Sequence, residues 1–248
     1  ACKKAEKYEA AFSQGRVDFH CAYHELETHT EIVVSPEDDI EMRRVIITNY
    51  AKVTRTIEVT SYAEVVLAPM ASDLIQPGFS NLFVQTAILP DKHAIMCTRR
   101  PRSAEDKMPW MFHLMMLQGK AAQEISYETD RMEFIGRGNT TLDPQMMNKP
   151  GPLSGRQGSV LDPIVAIRYK IELEPDESVT LDMIIGITET PEACKSLVDK
   201  YQDKHHKDRV FEVAWTHSQV VLRQINASEA DAQLYGRLAS SILFNNTA

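Results

Sequence analysis

The amino-acid sequence predicts a mainly β protein: a large antiparallel β-sandwich followed by C-terminal linker helices. Three observations carry this. β-branched and aromatic runs, several alternating apolar with polar at period two, recur as far as Thr188. Turn residues separate these runs at short intervals, with no helical pattern between them. From Thr190 onward the apolar residues recur at helical spacing instead. Strands first and helices last is not the alternation of a parallel α/β fold.

The elements follow in order. Val17, Phe19, Cys21 and Tyr23 alternate with Asp18, His20 and Ala22 after a Gln14-Gly15 turn, giving a half-buried strand. Thr30 to Val34 is a second strand and stops at Ser35-Pro36. Ile40–Thr48 and Arg55–Leu67, around the polar loop at Asn49–Lys52, predict an antiparallel hairpin. Ala71 to Asn81 breaks the pattern, with Pro77-Gly78 as a turn. Strands resume at Leu82–Leu89, Ala94–Thr98, Trp110–Leu117 and Glu124–Thr129. A long loop rich in Gly and Pro runs from Gly136 through Gly158 and is expected to be functional or self-packed. Ile164–Leu173 and Val179–Thr188 predict another hairpin around Glu174–Glu177. Thr190-Pro191-Glu192 is a helix start: a capping hydroxyl, proline at the first position, then an acid near the dipole. Val210, Val213, Ala214, His217, Val220 and Val221 continue at helical spacing, and Ser228 caps a last helix. The division expected is a β-sandwich over 1–189 and a helical linker over 190–248, the helices connecting rather than forming core.

Composition narrows the function. At 43% hydrophobic the chain is no disordered protein. With 35 acids against 27 bases, its net charge of −8 disfavours nucleic acid. The longest apolar run, Trp110–Leu117, is interrupted by His113 and is too short to span a bilayer, so no membrane contact is expected. Cys2, Cys21, Cys97 and Cys194 are far apart and read as small apolar residues in a reducing compartment. The start has neither Met nor an apolar signal region, which suggests a segment of a longer protein.

Chemistry-bearing patterns are few. His20, His24 and His29 lie close together, but no third ligand stands at a fixed spacing from them. They read as solvated surface histidines, as do His205-His206. Glu37-Asp38-Asp39 after Ser-Pro reads as a polar turn. No phosphate-binding loop, dinucleotide fingerprint, zinc helix or nucleophile elbow is present, so no catalytic residue, metal or cofactor is expected. Arg99-Arg100-Pro101-Arg102 is the exception. Three guanidiniums in four residues need partners: either surface acids, or an anion or acidic surface on a neighbouring domain. Trp110 and Phe112 are alternating aromatics that either pack in the core or stack on sugar rings.

An ordered series of stretches resembles a known family. It runs through Thr30–Asp39, Glu58–Leu67, Phe79-Ser80-Asn81-Leu82-Phe83, Thr98–Arg102, Glu128–Arg131, Phe134–Gly138 and Leu161–Ile164. It is similar to the phosphorylase-like segment of cyclic β-1,2-glucan synthases, akin to cellobiose and chitobiose phosphorylases. The resemblance implies a galactose-mutarotase-type supersandwich, a helical linker and then an (α/α)6 barrel that this chain lacks. It implies that the general acid and the phosphate pocket lie in that barrel, so the chain alone is inactive. It further implies β-glucan or an oligosaccharide, the barrel and a second copy as partners. The location implied is the cytoplasmic face of a bacterial inner membrane, or the cytoplasm if the parent is a free phosphorylase. Asp73, Phe79, Asn81, Arg99, Arg100, Arg102 and Trp110 are the candidate contacts to sugar or barrel. Two departures stand out: Gln76-Pro77-Gly78-Phe79 replaces an expected His-Pro-Ala-Phe, and Ala87 stands where an acid is expected.

Overall fold

The computed structural model describes residues 4–101, 103 and 106–243. Two antiparallel sheets face each other. The larger has eight strands in the order β1 (Lys7–Ser13), β2 (Arg16–Tyr23), β3 (Leu26–Val34), β4 (Ile40–Asn49), β12 (Ser178–Thr188), β9 (Trp110–Gln118), β8 (Ala94–Arg99) and β7 (Val84–Leu89). The smaller has β10 (Glu124–Asp130), β11 (Pro163–Leu173) and β5 (Arg55–Thr60), with the short β6 (Ala63–Glu64) also paired to β11. The predicted fold class stands, and most predicted strands are in place. β1 is an addition: its side chains are all exposed, so burial imposes little pattern on its sequence.

Both predicted hairpins are wrong, for one reason. β4 lies in the large sheet and β5 in the small one; β11 and β12 divide the same way. Each polar loop therefore turns a corner between sheets. Buried Asn49 stitches the two corners together. Its side-chain amide donates to the carbonyls of Val53 (3.0 Å), Leu173 (3.1 Å) and Glu174 (3.1 Å), and its Oδ1 accepts from the Ala51 N–H. Its backbone N–H donates to Glu177 O while its own carbonyl accepts from Asp176 N. Such corner loops cost nothing in unpaired groups because Asn49 satisfies them.

Three apolar clusters result. Between the sheets, Ile95, Met115 and Leu181 meet Ile167, Tyr169 and Ile171. On the other side of the large sheet, Met42, Phe112 and Ile184 meet α5 (Pro191–Lys200) and α6 (Lys204–Gln224) through Cys194, Val198, Tyr201, Val210 and Ala214. The expectation that the C-terminal helices only connect is corrected here: α5 and α6 are core. Thr190 caps α5 as predicted, accepting from the Ala193 N–H at 3.2 Å. α7 (Glu229–Leu243) has no buried residue, and Ser228 Oγ accepts from Asp231 N at its start. The third cluster lies under the long loop. There α3 (Arg131–Ile135), α4 (Gln145–Asn148) and Leu153 cover the outer face of the small sheet. Arg168, 3% exposed, pins this loop by donating to the carbonyls of Met146 and Gly151. The loop is thus self-packed, with buried Glu128 accepting from the backbone N–H groups of Thr129, Asp130 and Ser154.

Polar side chains lock the helices to the sheet. Arg44 pairs with Asp182 (2.7 Å) and Asp208 (2.8 Å), Lys207 lies 3.8 Å from Asp182, and Gln118 donates to Asp182 as well. The Glu37–Asp39 turn does more than turn. Asp38 accepts from Lys200 (2.6 Å) and the Tyr201 hydroxyl (2.5 Å), and Glu37 pairs with Arg209 (2.6 Å). Cys97 and Cys194 are buried and Cys21 half-buried; burial pushes the Cys97 thiol up to about 12. Cys2 lies outside the described residues.

Candidate functional site

The arginine loop forms one wall of a cleft of about 640 Å³ at the end of β8. Arg99 closes β8 and is 8% exposed; its Nη1 donates to Val66 O at 3.0 Å. Arg100 donates through Nη2 to Leu82 O at 2.9 Å, and its backbone N–H reaches Phe83 O. Both guanidiniums lie 5.8 Å from the centre of the Phe83 ring. Backbone carbonyls and an aromatic ring therefore anchor both cations beside the cleft. Leu67, Pro69, Asp106 and Lys107 also line the cleft, and Asp106 is the one carboxylate among its described lining residues. Arg102 lies outside the described residues.

The second predicted loop meets the first. α1 (Met70–Ile75) carries half-buried Asp73, and α2 (Pro77–Asn81) carries Phe79, which is 54% exposed. Phe79 packs edge-on against Phe83 at 5.3 Å, so the aromatic surface runs from the cleft onto α2. Asn81 faces elsewhere, donating to Asp162 at 3.0 Å. Asp162 and Glu64 both pair with Arg131, which ties α2 to the small sheet. Trp110 does not line the cleft. It is half-buried on the helix side of the large sheet, beside the cluster containing Phe112 and Val198. Of the seven candidates, Arg99 and Arg100 line the cleft, Phe79 borders it through Phe83, Asn81 bonds Asp162, and Trp110 packs beside the helix-side cluster. Phe83, which ends the candidate loop Asp73–Phe83, lines the cleft and links the two loops.

A second concavity, of about 570 Å³, opens where the large sheet overhangs the small one. Tyr23 of β2 forms one wall, and Tyr62, Phe134 and Met147 form the other. Tyr62 and Phe134 lie 5.1 Å apart, and the Tyr62 hydroxyl donates to Glu64 at 2.9 Å. Burial, with Glu64 beside it, pushes the Tyr62 phenol up to about 12. Only tertiary folding brings these rings together, since they come from β2, the segment between β5 and β6, and α3.

A family model described as the supersandwich domain of glycosyl hydrolase 94 matches residues 1–204. The chain belongs to this supersandwich family. It is 30% identical over 239 residues to the cyclic beta-(1,2)-glucan synthase NdvB of Rhizobium meliloti (strain 1021). That alignment covers 96% of this chain and 8% of the synthase, so this supersandwich corresponds to a small part of its relative. Among solved structures, a putative kojibiose phosphorylase from human microbiome overlaps 87% of this chain and 23% of its own, at 7% identity and a TM-score of 0.41. A heparan sulfate lyase HepC mutant from Pedobacter heparinus overlaps 75% and 22%, at 8% identity and a TM-score of 0.41. Among the described residues, no helix of the supersandwich chain is long and apolar enough to cross a membrane.

Proposed function

We propose that this chain is the non-catalytic sandwich portion of a larger cyclic β-1,2-glucan synthase or related glycoside phosphorylase. In that protein it supports glucan synthesis and chain-length control by holding carbohydrate or by packing against a catalytic barrel. The observation that carries this reading is 30% identity to a glucan synthase across nearly the whole supersandwich. The sandwich on this reading ranges over 1–189; within 190–248, α5 and α6 pack onto it and α7 leads toward the barrel. The working location is the cytoplasmic face of a bacterial inner membrane.

The arginine cleft is the contact we assign to this role. Guanidiniums held over an aromatic ring present N–H donors to sugar hydroxyls or to carboxylates of a neighbouring domain. The test is calorimetric titration of the chain with linear β-1,2-glucan oligosaccharides, with cellobiose as control. Saturable binding of the β-1,2 series alone makes the sandwich a substrate-holding part. No binding by folded chain leaves domain packing. Arg99→Ala in the full-length parent, with activity and stability both unchanged, would overturn the role of the cleft.

A second reading is a stand-alone carbohydrate-binding module. The concavity lined by Tyr23 and Tyr62 favours it, because sugar rings stack on accessible aromatic faces. The accessible rings of this platform are half-buried Tyr23 and Tyr62, while Phe134, 2% exposed, backs Tyr62 from the core. Oligosaccharide binding lost in Tyr62→Ala but kept in Arg99→Ala would favour the module. A purely structural or dimerising role predicts no sugar binding and a concentration-dependent mass, through surfaces such as exposed Tyr8 and Phe12.

A further inference from the structure

Strands β2 and β3 carry a polar hollow that the carbohydrate readings do not use. The register sets Asp18 opposite Glu31 and His20 opposite His29. Positions two apart on a strand share a face, so all four side chains project from the same side. Strand β1 continues the rows with Ala11 beside Asp18 and Glu9 beside His20. The small Ala11 side chain leaves room, and the hollow measures about 380 Å³. The His20 and His29 rings stack 4.0 Å apart at 10°. His29 Nε2 lies 3.1 Å from Asp18 Oδ1. One ligand atom from each of Asp18, His29 and Glu31 lies within 4.8 Å of the others. Asp18 is 7% exposed, and the histidines are half-buried. The expectation of solvated histidines is corrected for this pair, whereas His24 sits in the hairpin turn at φ 49°.

We propose that Asp18, His29 and Glu31, with His20 as a further imidazole, form a binding site for a divalent cation of the zinc type. Ligands about 2.0–2.1 Å from a tetrahedral ion stand about 3.3–3.4 Å apart. The Asp18–His29 separation is close to that edge, and small side-chain rotations bring Glu31 in. Mixed imidazole and carboxylate donors suit zinc, cobalt, nickel or copper, not calcium or magnesium. One rival is present. Arg16 donates to Asp18 (3.0 Å) and to Glu31 (2.9 Å), so it is the chain's own cation in this hollow. Its side chain is 49% exposed and can withdraw into water, leaving the largely covered Asp18 and Glu31 to a replacing cation. Lys7, Glu9 and Glu27 rim the hollow, while Arg44, across from Glu31, is engaged by Asp182 and Asp208. Metal binding thus exchanges Arg16 for a dication bonded directly to both strands, and it staples the hairpin near the sheet edge.

The test is calorimetry of the chelator-treated chain with zinc chloride, beside visible spectroscopy with cobalt chloride. One saturable zinc per chain is expected, with the intense visible bands of tetrahedral cobalt. His29→Ala and Asp18→Asn should each weaken binding about tenfold or more. Arg16→Gln, which removes no ligand, should tighten it up to about fivefold. Cys21→Ser should leave it unchanged. Absence of saturable zinc binding in both the wild-type chain and folded Arg16→Gln would overturn the proposal. So would binding unchanged in His29→Ala and Asp18→Asn, which places the ion elsewhere, as on His205-His206.

Discussion

The two faces of the large sheet are buried by different means. Toward the small sheet, apolar side chains meet apolar side chains, with polar pairs such as His113 with Ser61 (2.7 Å) and Thr86 with Thr129 (2.7 Å) set among them. Toward the helices, Arg44, Asp182, Lys207 and Asp208 cross an interface that also buries Phe112 and Val210. The difference follows from shape. Two pleated sheets joined by covalent corners have few ways to slide. A helix on a sheet can shift and rotate while burying nearly the same area, so a charge network that fits one position selects it.

Breaking the network should have the largest effect. Asp182→Ala leaves Lys207 and Arg44 without their buried partner and is expected to cost about 3–5 kcal/mol in denaturant unfolding. A loss under about 1 kcal/mol would mean the helices are held by apolar burial alone.

The dry face has its own sensitivity, to acid. Burial pushes His113 down to about 4, so it stays neutral in the folded chain. Between pH 6.5 and 4 the unfolded chain binds a proton at this position and the folded chain does not. Stability should therefore fall by about 3 kcal/mol as pH drops through that window, and be unaffected by His113 above it. His113→Gln, whatever its own cost, should flatten that part of the stability–pH curve. An unchanged slope would show that His113 does not titrate as its burial demands.

Smaller effects sharpen the comparison. Asn49→Ala removes the donors that join the two corners and should cost about 1–3 kcal/mol. Thr190→Ala removes a cap of α5 and should cost about 1 kcal/mol in thermal unfolding. Arg209→Met breaks an exposed pair with Glu37 and should leave the denaturant midpoint nearly unchanged, in contrast with buried Asp182.

Local sequence carried most of the secondary structure, because period two, turn residues and the Thr-Pro-Glu helix start act within a few residues. It misassigned Ile40–Leu67 and Ile164–Thr188 as hairpins. A corner between sheets and a hairpin turn use the same polar residues, and what separates them is the pairing of distant strands. Of the candidate site, Arg99 and Arg100 were legible because clustered guanidiniums demand partners. Trp110 was not, because alternation says that a residue faces one side of a strand and does not say what covers that side.

Sequence alone therefore determined the strand-then-helix order, the caps, the family resemblance and the arginine cluster, all of which rest on local chemistry or on residue identity. Tertiary structure decided which strands share a sheet, that α5 and α6 are core, and that Tyr62 meets Phe134. It also decided that ligand atoms of Asp18, His29 and Glu31 come within 4.8 Å of one another. Those facts rest on register between strands and packing between layers, where residues distant in the chain become neighbours and no fixed spacing announces them.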